Sequence, residues 1–282
     1  MIPINFIHQW REQAPWAYQS QIEQDLVLSR ALVSLYQQPV IQKALAFRGG
    51  TALNKLFYES STRYSEDLDF VQIQAGPSGR IIDAIRQAID PWLGQARWKQ
   101  DSRSVKLLYR FQSEDEPSIP LRLKIEINTT EPFSVFGFEQ KPYSVNSRWF
   151  SGQTVIRTYA LDELMATKFR ALYQRLKGRD LYDLWMAVTQ LQVNVDQLIQ
   201  AFHKYNTFHQ VSISRAEYER NLTLKMQDQD FLLDAKHVLS TDTKWDPAVA
   251  FELIAQRLIT QLPGDPWRGT GGENKNTRQT KG

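Results

Sequence analysis

The sequence predicts an α+β chain, with a mixed-sheet half followed by a helical half. Three observations predict it. Apolar residues alternate with period two over residues 67–73 and 121–127, as strands require. They recur at helical spacing over residues 1–38, 80–93 and from 159 to about 262. The 282 residues amount to about two domains of 150.

Taken in order, residues 1–38 read as a helical arm, with Val27, Leu28, Ala31, Leu32 and Leu35 on one stripe and Pro39 as a stop. Residues 44–47 read as a short buried strand running into Arg48-Gly49-Gly50-Thr51, with a helix from Thr51 to Tyr58. A strand over 67–73, a loop at 76–79 and an amphipathic helix over 80–93 follow. Two more strands, 105–111 and 121–127, flank an acidic, proline-containing turn. Residues 133–155 read as irregular and aromatic. From Tyr159 the pattern is helical, broken near Gly178 and at Trp245-Asp-Pro247. The expected division is a helical arm (1–38), an α/β core (39–156), a helical domain (157–263) and a disordered tail (264–282).

Composition removes several functions. There is no cysteine, which excludes disulfides, zinc ribbons and thiol nucleophiles and fits a cytoplasmic chain. No apolar run approaches the roughly 18 residues of a membrane span, and the first residues lack a secretory signal. His8, His203, His209 and His237 show no ligand spacing, and Gly76-Pro-Ser-Gly79 is no nucleophile elbow. The net charge is +3, of which residues 264–282 supply +2. The remainder is nearly neutral, so net charge alone does not predict a nucleic-acid partner.

Local charge is more informative. Residues two apart on a strand share a face, so Asp67 and Asp69 project together while Leu68 and Phe70 turn to the core. Two carboxylates so close repel unless a cation lies between them. Hard oxygen ligands without Cys or paired His favour Mg²⁺ or Mn²⁺; two solvated aspartates at a strand entry are the plainer alternative. On the strand over 121–127, Arg122, Lys124 and Glu126 share the polar face. If it lies beside 67–73, Glu126 approaches Asp67 and Asp69 as a third carboxylate, a set that would hold two metal ions; an ordinary half-exposed strand also fits. Gly49 and Gly50 let the backbone approach a phosphate at a helix start, and Thr51 either caps that helix or reaches the phosphate.

In the helix after Tyr159, Lys168 falls inside the apolar arc, Arg175 at its edge, and Arg170 on the opposite, solvated side. Lys168 either snorkels or meets an anion in a cleft between the halves. Asp180 and Asp183, taken alone, read as charges in the first turn of the next helix.

Four motifs stand in order: Phe47-Arg-Gly-Gly-Thr-Ala-Leu-x-Lys55, Arg63-Tyr-Ser-Glu-Asp-Leu-Asp69, Lys168-x-x-Ala-x-x-x-Arg175 and Gly178-Arg-Asp-Leu-Tyr-Asp183. Together with Trp16 and Glu23-Gln-Asp-Leu26, they make residues 5–260 resemble the AbiEii-type nucleotidyltransferase toxins. These are the toxins of type IV toxin–antitoxin and phage-abortive systems, relatives of the MenT toxins. The resemblance implies a polymerase-β-like nucleotidyltransferase core with a mixed sheet, followed by a helical-bundle domain. It implies transfer of a nucleoside monophosphate from an NTP to an RNA acceptor, the tRNA 3′ end in several relatives. It assigns Gly49, Gly50 and Thr51 to the phosphate turn, Asp67 and Asp69 to Mg²⁺, and Lys168, Asp180 and Asp183 to the catalytic set. Lys55, Arg63, Ser65, Arg175 and Arg179 join the nucleotide and phosphate contacts. Glu126 is a geometric addition to the metal set. The antitoxin expected with such a toxin is a separate DNA-binding repressor. Binding of NTP or RNA without turnover, and transfer to a protein or small-molecule hydroxyl, are the alternatives.

Overall fold

The structure, a computed structural model, describes residues 2–240 and 243–269. Short helix α1 (Ile4–Trp10) leads to α2 (Gln19–Tyr36). Buried residues run all round α2, which packs against several strands of the sheet. Pro39 does not end the helical region; it opens another helix, α3 (Pro39–Ala44), at a first-turn position where its missing N–H is no loss.

Strand β1 (Leu45–Arg48) runs directly into α4 (Gly49–Leu56). Then come β2 (Asp67–Gln72), α5 (Gly79–Leu93), β3 (Arg97–Gln100), β4 (Ser104–Gln112) and β5 (Pro120–Asn128). Two long strands follow, β6 (Phe138–Asn146) and β7 (Ser151–Tyr159). The seven form one sheet in the order β3-β4-β5-β2-β1-β7-β6. It is mixed, with β2–β5 and β1–β7 parallel and the remaining neighbours antiparallel.

Three strands depart from the sequence reading. β6 and β7 occupy the stretch read as irregular, because Pro142, Gly152 and a string of polar residues obscure the alternation. Pro142 is tolerated because β6 is an edge strand. Strand β3, exposed throughout, has no apolar face to betray it.

The helical half contains α6 (Leu161–Gln174), α7 (Gly178–Gln190), α8 (Val195–Phe208), α9 (Arg215–Lys225), α10 (Gln229–Asp234) and α11 (Pro247–Arg257), with a 3-10 turn at Lys236–Val238. Most of its buried apolar side chains join those of the sheet in one cluster, and Tyr182, Met186 and Ala235 form a second, smaller one. Of the tail, residues 264–269 are described, and the Trp267 N–H donates to Glu219 Oε2 at 2.6 Å. Residues 270–282, where disorder was expected, lie outside the described residues. No helix among the described residues is long and apolar enough to cross a membrane.

Candidate active site

The sheet register assembles the polar residues. Asp69 lies opposite Arg48 of β1 on one side and Glu126 of β5 on the other, while Asp67 faces Lys124. All five therefore share one sheet face, with Leu68 and Phe70 buried on the other. Lys124 Nζ sits 2.7 Å from Asp67 Oδ2 and 3.3 Å from Glu126 Oε2, and Lys106 Nζ is 3.1 Å from Glu126 Oε1. Asp67 Oδ1 is buried without a hydrogen-bond partner. Burial, and then the neighbouring Asp67 charge, push the Asp69 carboxyl above its usual range, with Lys124 and Lys168 opposing.

These donors fit a hard divalent cation. An unpartnered buried carboxylate oxygen beside a second, destabilised carboxylate is a hard-oxygen pair, the donor chemistry that such a cation takes. Glu126 lies in register with them but is turned to two lysines. Among the described residues no three acidic or histidine side chains converge as a ready cation site.

Both glycines of the β1–α4 turn are sterically required. Gly49 has φ +81°, and a Cβ there would lie 2.5 Å from Asp69 Oδ2. A Cβ on Gly50 would lie 2.1 Å from Arg63 Nη2 and 3.4 Å from Lys168 Nζ. The helix starts at Gly49, so Thr51 is not its cap. Its buried hydroxyl donates to the Asp67 carbonyl at 2.5 Å and contacts Ser65 Oγ at 2.7 Å, tying the turn to β2.

Beneath the turn lies a buried ion network. Arg63 forks onto Asp183, Nε to Oδ1 at 2.6 Å and Nη2 to Oδ2 at 2.8 Å. Lys168 Nζ is 2.7 Å from Asp183 Oδ2 and 3.2 Å from Asp180 Oδ1, so it does not snorkel. Arg175, whose side chain is exposed, closes the chain on Asp180 from the solvent side, Nε to Oδ2 at 2.6 Å. Asp180 and Asp183 are fully buried and make no cap at the start of α7. Burial opposes their ionisation, but Arg63 and Lys168 hold Asp183, and Lys168 and Arg175 hold Asp180, below the usual carboxylate range. Three cations over two carboxylates leave an excess positive charge behind Gly50.

Gly49, Gly50, Arg63, Ser65, Asp67, Asp69, Glu126, Lys168, Arg175 and Arg179 line one cavity of about 550 Å³. Thr51, Asp180 and Asp183 lie behind its wall. Lys55 points elsewhere: its Nζ is 2.7 Å from Asp25 Oδ1 and 2.8 Å from Oδ2, in a buried cluster with Trp10 and Trp16.

A family model described as nucleotidyl transferase AbiEii toxin, type IV TA system, matches residues 30–253. The chain belongs to the AbiEii family. Its fold is also that of MenT4, a nucleotidyltransferase toxin from Mycobacterium tuberculosis H37Rv, with a TM-score of 0.61 at 16% identity over 93% of this chain and 91% of that one. A crystal structure of a putative nucleotidyltransferase from H. pylori superposes with a TM-score of 0.55 at 17% identity, covering 86% of this chain and 98% of that one. A human protein, coiled-coil domain-containing protein 170, is 27% identical over 145 residues, 51% of this chain. The chain spans only 19% of that protein's length.

In this AbiEii-family chain the sequence reading missed one polar hub. Glu131, in the β5–β6 connection, is buried and takes Arg48 Nη1 at 3.0 Å, His209 Nε2 at 2.7 Å and the Arg170 guanidinium. Arg170 is thus a buried-pair partner, not a solvated residue. Burial opposes Glu131 ionisation, yet Arg48 and Arg170 hold its pKa down to about 2. Arg48 lines the cavity next to Gly49. A lone glutamate after a strand carries no signal in the sequence. Nor does His237, which the 3-10 turn brings to the cavity while Val238 accepts the Tyr64 N–H at 2.7 Å.

Proposed function

We propose that this chain is the toxin of a type IV toxin–antitoxin or phage-abortive system, transferring a nucleoside monophosphate from an NTP to a terminal hydroxyl of RNA, the tRNA 3′ end. The observation that carries this reading is the Asp67–Asp69 pair, which shares one cavity with the Gly49–Gly50 turn and the Lys168 network. In this reading the 39–156 core supplies carboxylates and turn, and the 157–263 helices supply the cations facing them.

Asp67 and Asp69 would hold Mg²⁺ or Mn²⁺, with Glu126 joining a two-ion site on release from Lys106 and Lys124. When bound, such ions neutralise phosphate charge and lower the pKa of the attacking hydroxyl. The acceptor 3′-oxygen bonds to the α-phosphorus, the bridge to the β-phosphate breaks, pyrophosphate leaves with the electron pair, and the hydroxyl proton passes to water. Free N–H groups of Gly49 and Gly50 orient the phosphates. Lys168 and Arg63 offset charge as it develops, in a buried setting where preorganised donors act strongly, and Arg175 adds to them from the exposed edge of the cavity. Asp180 and Asp183 hold Lys168 in place; with both carboxylates fully engaged by cations, a role in deprotonating the acceptor is disfavoured. Thr51 and Ser65 fix the turn against β2. The reaction belongs in the cytoplasm, and the antitoxin partner would be a separate DNA-binding repressor.

The test is to incubate the full chain with Mg²⁺, total tRNA and each of four α-labelled NTPs. Label entering the RNA, with pyrophosphate released, supports the reading. NTP binding without label would indicate a binding protein, and label on protein or small molecules would move the acceptor to that class.

A further inference from the structure

The carboxylate face of the sheet does not end at the cavity. Beyond Glu126 it continues across β4 and β3, and the residues directly opposite one another run Asp69, Glu126, Lys106, Lys99. Parallel to this row, Arg110 stands opposite Arg122, and Arg97 lies on β3 two residues before Lys99. With Lys124, the outer three strands carry six cations on this face against one carboxylate, Glu126. The opposite face is apolar: Leu107, Tyr109, Leu123, Ile125 and Ile127 are fully buried.

Two like-charge pairs face each other directly, Lys99 with Lys106 and Arg110 with Arg122. Such cross-strand pairs destabilise a sheet. Among the described residues, Arg97, Lys99 and Arg110 have no carboxylate within salt-bridge distance, and all three are exposed. Charge on an edge strand discourages edge pairing. That accounts for β3 but not for Arg110 on an interior strand, and Glu66 Oε1, 3.5 Å from Arg122 Nη2, pairs with only one of these two facing arginines. An external polyanion accounts for all of them.

We propose that this open basic face of β3–β4–β5 binds the backbone of the RNA acceptor, laying its stem across the sheet so that the 3′ end reaches Asp67 and Asp69. The proposal rests on RNA being the acceptor. Strand β3 is three strand spacings from Asp69, about 14 Å, so the stem phosphates meet the row while the terminal nucleotides enter the cavity. Contacts of this kind are to phosphate and sequence-independent. Nucleotide choice would then reside in the cavity alone.

The test compares wild type with the triple variant Arg97→Glu/Lys99→Glu/Arg110→Glu and with a control of equal charge change, Arg80→Glu/Lys204→Glu/Arg257→Glu, whose residues are exposed but outside these strands. Binding of total tRNA is followed by fluorescence anisotropy across a salt series, and label transfer is measured in parallel. In the row variant, tRNA affinity is expected to fall about tenfold or more and the log–log salt slope to become shallower by about 2–3. The control should keep both, and the KM for NTP should not move. If wild type labels tRNA and the two variants behave alike, the docking face is wrong and the functional reading stands. If wild type neither binds nor labels tRNA, the functional reading fails and this proposal with it.

Discussion

Arg63 passes so close to Gly50 that a Cβ at position 50 would lie 2.1 Å from its Nη2. Arg63 cannot step aside cheaply, because both ends of its fork are bonded to buried Asp183. Gly50→Ala should therefore displace Arg63, destabilise the fold by about 1–3 kcal/mol and remove most transfer activity. Gly79→Ala is the matched control, since no atom lies within 4 Å of its added Cβ. It should be neutral or stabilising by about 0.5–1 kcal/mol. Thermal melts and transfer assays of both variants check this.

The Lys168 network separates stability from chemistry. Asp183→Ala strips buried Arg63 of its carboxylate and leaves Lys168 with Asp180 alone, and should cost about 3–5 kcal/mol. Lys168→Met leaves Arg63 on Asp183 and Arg175 on Asp180, so the variant should fold and lose activity. A chemical melt with near-native stability for Lys168→Met but retained transfer would remove this lysine from the reaction.

Acid stability should report on Glu131. Its pKa is held at about 2 against a usual 4.5. A carboxyl depressed by folding contributes stability that is complete above pH 4.5 and lost as pH falls towards 2. Glu131→Gln should therefore be less stable than wild type by about 3 kcal/mol at pH 7. That gap should close progressively between pH 4.5 and 2 in urea melts; a gap independent of pH would contradict the assignment.

Lys55 carries a prediction in the opposite sense. Because its ammonium is bonded to Asp25, Lys55→Met should lower the melting temperature and leave the KM for NTP unchanged. A raised KM with an unchanged melting temperature would return Lys55 to the phosphate contacts.

Much of the site was legible in the sequence because it rests on short-range geometry. Period two put Asp67 beside Asp69 and Glu126 on a polar strand face, and the helical arc turned Lys168 inward. What escaped depends on distant partners. Lys55 meets Asp25 across thirty residues, and Glu131 gathers Arg48, Arg170 and His209 from three separate elements. Asp180 and Asp183 read as helix-start charges because nothing local tells that Arg63 and Arg175 come to meet them. Strands β6 and β7 escaped because an edge strand tolerates Pro142 and polar residues that interrupt alternation.

The most direct measurement is label transfer to total tRNA by wild type and Asp69→Asn, with melting temperatures taken alongside. Asp69→Asn removes one of two repelling carboxylates, so it should melt no lower than wild type when no divalent cation is added. The account predicts Mg²⁺-dependent labelling by wild type and none by this folded variant. Equal labelling by both would contradict it.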